Sequence, residues 1–350
     1  MSDPYLLAAS LLTVGPVSAP PPSTLAPNLL DNLSGLLAAA AARTRESAVT
    51  HQKMVPLVET SVVEFSKPQA TAPRAVTALA TNLPMQPKPQ STAFSPTSGT
   101  QLYYQRLAAL KAGKLYTRLS ADSFQSAWTK GTLPKPTHEQ WKRLLEQEAK
   151  AIAKGQGDNR LAILVGDSLS LWFPSERLPS GQFWLNQGIS GENSSQILQR
   201  LSAFSQTRPD TIYVMAGTND LRQGVSDRVI LDNTRQILRR LRQNHPQAQV
   251  VVQSILPTRL QAIPSDRIRN LNQQIGAIAQ QEEAGFLNLH SLFVNEEGQL
   301  RRELTTDGIH LAKQGYNVWQ EALQYTQSWI ALNQSDRSPT ALGSNSNVDF

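Results

Sequence analysis

The chain has 350 residues, 40% of them apolar, with 33 Lys and Arg against 27 Asp and Glu. That length carries one ordinary domain plus an extension, or two small domains. Having no cysteine excludes disulfides, thiolate catalysis and Cys-bound zinc, and the net charge of +6 is too small and too scattered to mark a nucleic-acid surface.

Residues 1–100 are rich in Pro, Ala, Ser and Thr, from Pro20-Pro21-Pro22 to Pro96. Proline fixes φ and removes a backbone donor, so this stretch is expected to be largely disordered. One piece, Leu29 to Arg43, has the composition of a short helix. Leu6 to Val14 followed by Val17-Ser18-Ala19 has the outline of an export signal. No Lys or Arg precedes it and Asp3 does, so the cytoplasm is the expected compartment and export the alternative. No apolar run reaches the roughly 18–20 residues that span a bilayer. A protein partner, if there is one, would be engaged through this N-terminal region.

Residues 101–155 read as a helical hairpin. Tyr103, Tyr104, Leu107 and Leu110 recur at helical spacing. Thr137 to Gln140 forms a capping-box pattern, and Trp141, Leu144, Leu145 and Ile152 follow as one apolar stripe. Such stripes need a surface to bury against, so the hairpin is expected to dock on the next domain. His138, in the first turn of that helix, reads as a surface residue.

From residue 156 to about 332 strands and helices alternate. The expected strands are Leu161–Val165, Phe183–Asn186, Thr211–Met215, Gln249–Leu256 and Phe286–Leu289. Between them lie helical stripes such as Ile197, Leu201 and Phe204, or Ile268, Leu271, Ile275 and Ile278. A final helix is expected from about Lys313 to about Trp329. Five βα units in a row imply α/β architecture, a three-layer α/β/α sandwich around a five-stranded parallel sheet. Residues 333–350 are polar and read as a disordered tail. The cluster Arg239, Arg240 and Arg242 falls on one helix as a solvated face, with no aromatic platform beside it.

In such a sheet, chemistry gathers beyond the carboxyl ends of the strands. Four polar segments fall there: Gly166-Asp167-Ser168, Gly188 to Gly191, Gly217 to Asp220, and Asp307 to His310. Together they supply a serine, a histidine, an acid and spare donors, which is what acyl transfer requires. A serine hydroxyl needs a base to take its proton. His310 can be that base if a carboxylate holds its other nitrogen, and Asp307 lies three residues earlier. The oxyanion needs fixed donors, for which the Ser168 N–H, the Gly191 N–H and the Asn219 amide are candidates. Leu171, Trp172 and Phe173 follow the serine and would either line an acyl pocket or anchor the loop to the core. Position 170 is Ser, so the serine is not in a G-x-S-x-G elbow. His290 reads as a packing residue and Asp220 as a structural one. His and Asp clusters at metal-ligand spacing are missing, so neither a metal nor another cofactor is expected.

GDSLS (166–170), GISGE (188–192), GTND (217–220) and DGIHL (307–311) resemble the four blocks of the SGNH, or GDSL-type, hydrolases. The resemblance covers about residues 160–331. It implies a flavodoxin-like sandwich and metal-free hydrolysis of a small-molecule or glycan ester. Ser168 would be nucleophile, His310 base, Asp307 its partner, and Gly191 and Asn219 oxyanion donors. Glu192 stands where many members have Asp. The same machinery would serve an O-acyltransferase or a carbohydrate deacetylase. A reading from another class is a non-catalytic interaction protein, against which the intact set of five residues argues.

Overall fold

The computed structural model describes residues 95–335. The expected helix at Leu29–Arg43, most of the Pro-rich region and the tail beyond Ser335 lie outside the described residues.

Five strands form one parallel sheet in the order β2-β1-β3-β4-β5. They are β1 (Leu161–Gly166), β2 (Phe183–Gly188), β3 (Thr211–Val214), β4 (Gln249–Gln253) and β5 (Gly285–Leu287). Every residue of β1 is buried, as expected of a strand covered on both faces. The helices are α1 (Gly99–Lys111), α2 (Gln125–Trp128), α3 (His138–Gly155), α4 (Ser168–Leu171), α5 (Ser194–Gln199), α6 (Thr218–Arg222), α7 (Asp227–Asn244), α8 (Ser265–Gln281), α9 (His290–Phe293) and α10 (Lys313–Ser335). Among the described residues, no helix is long and apolar enough to cross a membrane.

Strand alternation sorts the core into two layers. Leu161, Ile163 and Val165 of β1 face one way and pack with Ile152 of α3, Ile197 of α5, Ile237 and Leu241 of α7, and Ile275 of α8. On the opposite face α10 closes the sandwich. Its Trp319 donates to Gln253 Oε1 on β4 at 2.6 Å, and its Tyr316 donates to the carbonyl of Leu169 at 3.1 Å. The strand order reverses direction between β1 and β3, which opens a crevice at their carboxyl ends.

Helix α3 starts on the expected capping box. Gln140 N–H donates to Thr137 Oγ1 at 3.2 Å, and Thr137 N–H to Gln140 Oε1 at 2.7 Å. Its buried face adds Glu148 to the apolar stripe. Glu148 pairs with the buried Arg106 of α1, whose Nη2 also donates to the carbonyl of Asn186 at 2.7 Å. The Arg106 guanidinium lies over the rings of Tyr116 (5.0 Å to the centroid) and Trp141 (5.9 Å). Gln187 Nε2 donates to the carbonyl of Leu145 at 3.1 Å. Helices α1 and α3 are therefore hydrogen-bonded to the carboxyl end of β2. The segment joining them is more than a turn: it holds a 3₁₀ turn at Tyr116–Arg118 and the short helix α2, whose Trp128 is 1% exposed.

Candidate active site

The first block is built by the exit from β1. Asp167 caps α4, its Oδ1 accepting the N–H of Leu169 at 2.9 Å. Because Asp167 does the capping, the Ser168 hydroxyl is free for other contacts. Its Oγ lies 3.2 Å from His310 Nε2.

The histidine arrives on a tight loop. Thr305 and Leu311 bridge antiparallel, and the carbonyl of His310 accepts from Thr306 N–H at 3.0 Å and Thr305 Oγ1 at 2.7 Å. Between them Gly308 has φ +89°, which permits the reversal. Asp307 Oδ1 accepts the N–H groups of Ile309 (3.0 Å) and His310 (2.8 Å), and Oδ2 meets His310 Nδ1 at 2.7 Å. Partial burial pushes the Asp307 carboxyl up. The hydrogen bonds from the His310 ring and from the two N–H groups outweigh it and hold Asp307 below the ordinary carboxylate range. Asp307, His310 and Ser168 thus form an unbroken chain, with 53% of the Asp307 side chain and 40% of the His310 side chain exposed.

Gly191 sits in the loop after β2 with φ +84°, exposed, and with open space where a side chain would project. Neither its N–H nor that of Ser168 has a backbone acceptor among the described residues. Asn219, the second residue of α6, is 4% exposed. Its Nδ2 donates to Asp167 Oδ2 at 3.1 Å and to the carbonyl of Glu192 at 3.0 Å. It therefore stands between the residue before Ser168 and the residue after Gly191, with both amide hydrogens engaged. Asp220 accepts from Ser194 N–H (2.8 Å) and Ser194 Oγ (2.5 Å), fixing the third block to the start of α5.

Asp167 is buried beside this group. Desolvation pushes its carboxyl up to about 6, against the hydrogen bond from Leu169 and the nearby His310 ring, which lower it. His290 is also buried, and desolvation holds its ring down at about 4, with Arg269 adding to the effect.

The structure places Leu171 and Phe173 in the core instead of a pocket. Both are 2% exposed. Leu171 packs with Leu102, Trp141 and Leu145, while Phe173 meets the rings of Tyr316 and Trp319 edge-on at 5.6 and 5.1 Å. Trp172 is half-buried at the margin of the Leu171 cluster. His138 is also more than a surface residue, since its Nε2 meets Glu192 Oε1 at 2.9 Å. A cleft of about 330 Å³ lined by Thr117, Arg118, Glu176 and Gln182 lies toward the amino end of β2, at the opposite edge of the sheet from Ser168.

Residues 152–318 match the model of the GDSL-like lipase/acylhydrolase family. The chain is 27% identical over 176 residues to platelet-activating factor acetylhydrolase IB subunit alpha1 of Bos taurus, covering 47% of this chain and 74% of that protein. The same subunit of Homo sapiens matches to the same extent. Among solved structures, a GDSL-like lipase from Bacteroides thetaiotaomicron is 20% identical with a TM-score of 0.44, covering 52% of this chain and 98% of that one.

Proposed function

We propose that this protein is a serine esterase that removes a short acyl group, acetyl above all, from an alcohol of a small molecule or glycan. The observation that carries the proposal is the chain Ser168 Oγ to His310 Nε2 (3.2 Å) and His310 Nδ1 to Asp307 Oδ2 (2.7 Å). Ser168 Oγ attacks the ester carbonyl carbon while its proton passes to His310 Nε2. Asp307 holds the ring with Nε2 facing the serine and stabilises the imidazolium. The oxyanion is met by the N–H groups of Ser168 and Gly191. Asn219 supplies a third donor by exchanging its bond to the Glu192 carbonyl for one to the oxyanion. The bond to the alcohol oxygen then breaks, and His310 returns the proton to that oxygen. Water repeats the sequence on the acyl-enzyme, releasing the carboxylic acid and restoring Ser168.

The preference for a short acyl group is supported by the acetylhydrolase relatives and by the burial of Leu171 and Phe173, which withdraws two apolar walls from the site. The exposed Asp307, His310 and Gly191 leave room for a bulky alcohol. The test is hydrolysis of p-nitrophenyl acetate, butyrate and octanoate by wild type and Ser168→Ala. Turnover should be highest on acetate and vanish in the variant. Equal turnover in both proteins would end the proposal, and a preference for octanoate would end its acyl-length part.

A further inference from the structure

The Glu192 side chain is buried directly behind the loop that carries Gly191, and three groups hold the residue. Arg200 Nε donates to Oε2 at 2.5 Å, and His138 Nε2 meets Oε1 at 2.9 Å. The main-chain oxygen accepts from Asn219 Nδ2 at 3.0 Å. Arg200 is itself 5% exposed, and its Nη2 donates to the carbonyls of Gly166 (3.1 Å) and Gln187 (2.7 Å). Gly166 ends the strand that presents Ser168, and Gln187 lies at the end of the strand that leads into the Gly191 loop. One buried ion pair therefore ties both strand ends to the residue after Gly191. A buried pair adds little net stability over well-packed apolar residues, so where this one sits matters more than its strength.

Gly191 is exposed, and apart from its two chain neighbours no atom lies within 4 Å of the position a Cβ would take. The loop's placement depends on its neighbours, and Glu192 is the neighbour with fixed partners. His138 comes from the first turn of α3, outside the matched domain at 152–318. Its side chain is 40% exposed, against 1% for Glu192.

We propose that Glu192 is a positioning residue for the Gly191 oxyanion donor, and that His138 makes the first turn of helix α3, which precedes the matched family domain, part of that machinery. The proposal rests on the reading of Ser168 as nucleophile. Without His138, one oxygen of Glu192 loses its partner, and the Gly191 N–H loses part of its anchorage. Displacing a donor costs less than deleting it, for which the loss is on the order of 10²–10³ in rate.

The test measures kcat, KM and thermal stability of the full chain on p-nitrophenyl acetate for wild type, His138→Ala, His138→Gln, Glu192→Gln and Ser168→Ala. His138→Ala should lower kcat about 10-fold with KM unchanged, as expected for a misplaced group acting only in the transition state. Its melting temperature should stay near wild type, because the side chain is partly exposed. His138→Gln, whose amide nitrogen can donate from about the place of Nε2, should recover most of kcat. Glu192→Gln should lose more than His138→Ala. Wild-type kcat in His138→Ala beside an inactive Ser168→Ala would overturn this inference and leave the nucleophile reading standing. A loss in His138→Ala that glutamine does not rescue, or that tracks a fall in melting temperature, would also overturn it. Retained activity in Ser168→Ala would overturn both.

Discussion

Gly188 should tolerate no side chain. It ends β2 in register with Gly166 of β1. A Cβ there would lie 2.3 Å from the nitrogen of Leu171, 2.8 Å from its Cα and 2.9 Å from the carbonyl oxygen of Asp167. All three are backbone atoms of the single helical turn Ser168–Leu171 and its cap Asp167, closed by Leu171 N–H to Asp167 O at 2.9 Å. Comfortable contact needs about 3.5 Å, so the turn must retreat by about 1 Å. Overpacking of this kind costs about 1–3 kcal/mol, and a clash with backbone belongs at the upper end. For a domain of this size about 3 kcal/mol corresponds to a fall of roughly 6–12 °C in Tm. The same retreat carries Ser168 with it, and a 1 Å misplacement can cost about 10²-fold in rate. Differential scanning calorimetry and ester hydrolysis on Gly188→Ala should show both losses. Gly155→Ala is the control: it ends helix α3 with nothing within 4 Å and no positive φ, so it should be neutral or slightly stabilising. Wild-type Tm and kcat in Gly188→Ala would refute the reasoning.

Asp167 makes a pH prediction. Its folded-state carboxyl is raised to about 6 by burial, so the folded protein holds a proton that the unfolded chain has already released near pH 4. Stability should therefore fall as pH rises from about 4 to about 6, by about 3 kcal/mol in full, and Asp167→Asn should remove that slope in urea titrations across the window. His290 works in the opposite direction: with its ring held down at about 4, the unfolded state takes the proton first, so stability should fall as pH drops from about 6.5 toward 4. His290→Gln should flatten that acid limb. The buried Arg106–Glu148 pair should show strong coupling: Arg106→Met strands a buried carboxylate and should cost about 3–5 kcal/mol, while adding Glu148→Met should recover most of it. Denaturation of both single variants and the double variant checks this, and additive losses would contradict it.

The parallel sheet was legible because each strand is a short apolar run between helical stripes, and the capping box at Thr137 and Gln140 marked the start of α3 to the residue. The ends of elements were less legible. Gln249 to Leu256 reads as one strand, but β4 ends at Gln253, where its neighbour β5 also runs out. Ile255 remains buried in the loop because Asn272 satisfies its backbone, accepting its N–H and donating to its carbonyl, both at 2.8 Å. An apolar run reports burial, and burial does not require a strand. The stripe Ile197, Leu201 and Phe204 reads as one helix, but α5 stops at Gln199 and a 3₁₀ turn follows. The final helix runs to Ser335, past the expected stop near Trp329.

At the site, Ser168, Asp307, His310, Gly191 and Asn219 were named from the four blocks alone. Arg200 gave no such signal, being one polar residue within an apolar stripe. His138 read as a surface histidine because its partner, Glu192, is 54 residues away in sequence. The burial of Leu171 and Phe173 was equally hidden, since an aromatic or aliphatic side chain after a nucleophile suits a pocket wall and a core anchor alike.

The central claim is that Ser168 is the nucleophile, and covalent labelling tests it most directly. The full-length protein would be treated with a fluorophosphonate and followed by intact mass and peptide mapping. The account predicts one adduct per chain, located on Ser168, absent from Ser168→Ala and strongly slowed in His310→Ala. Folded wild-type protein that takes no label, or takes it equally well in Ser168→Ala, would contradict it.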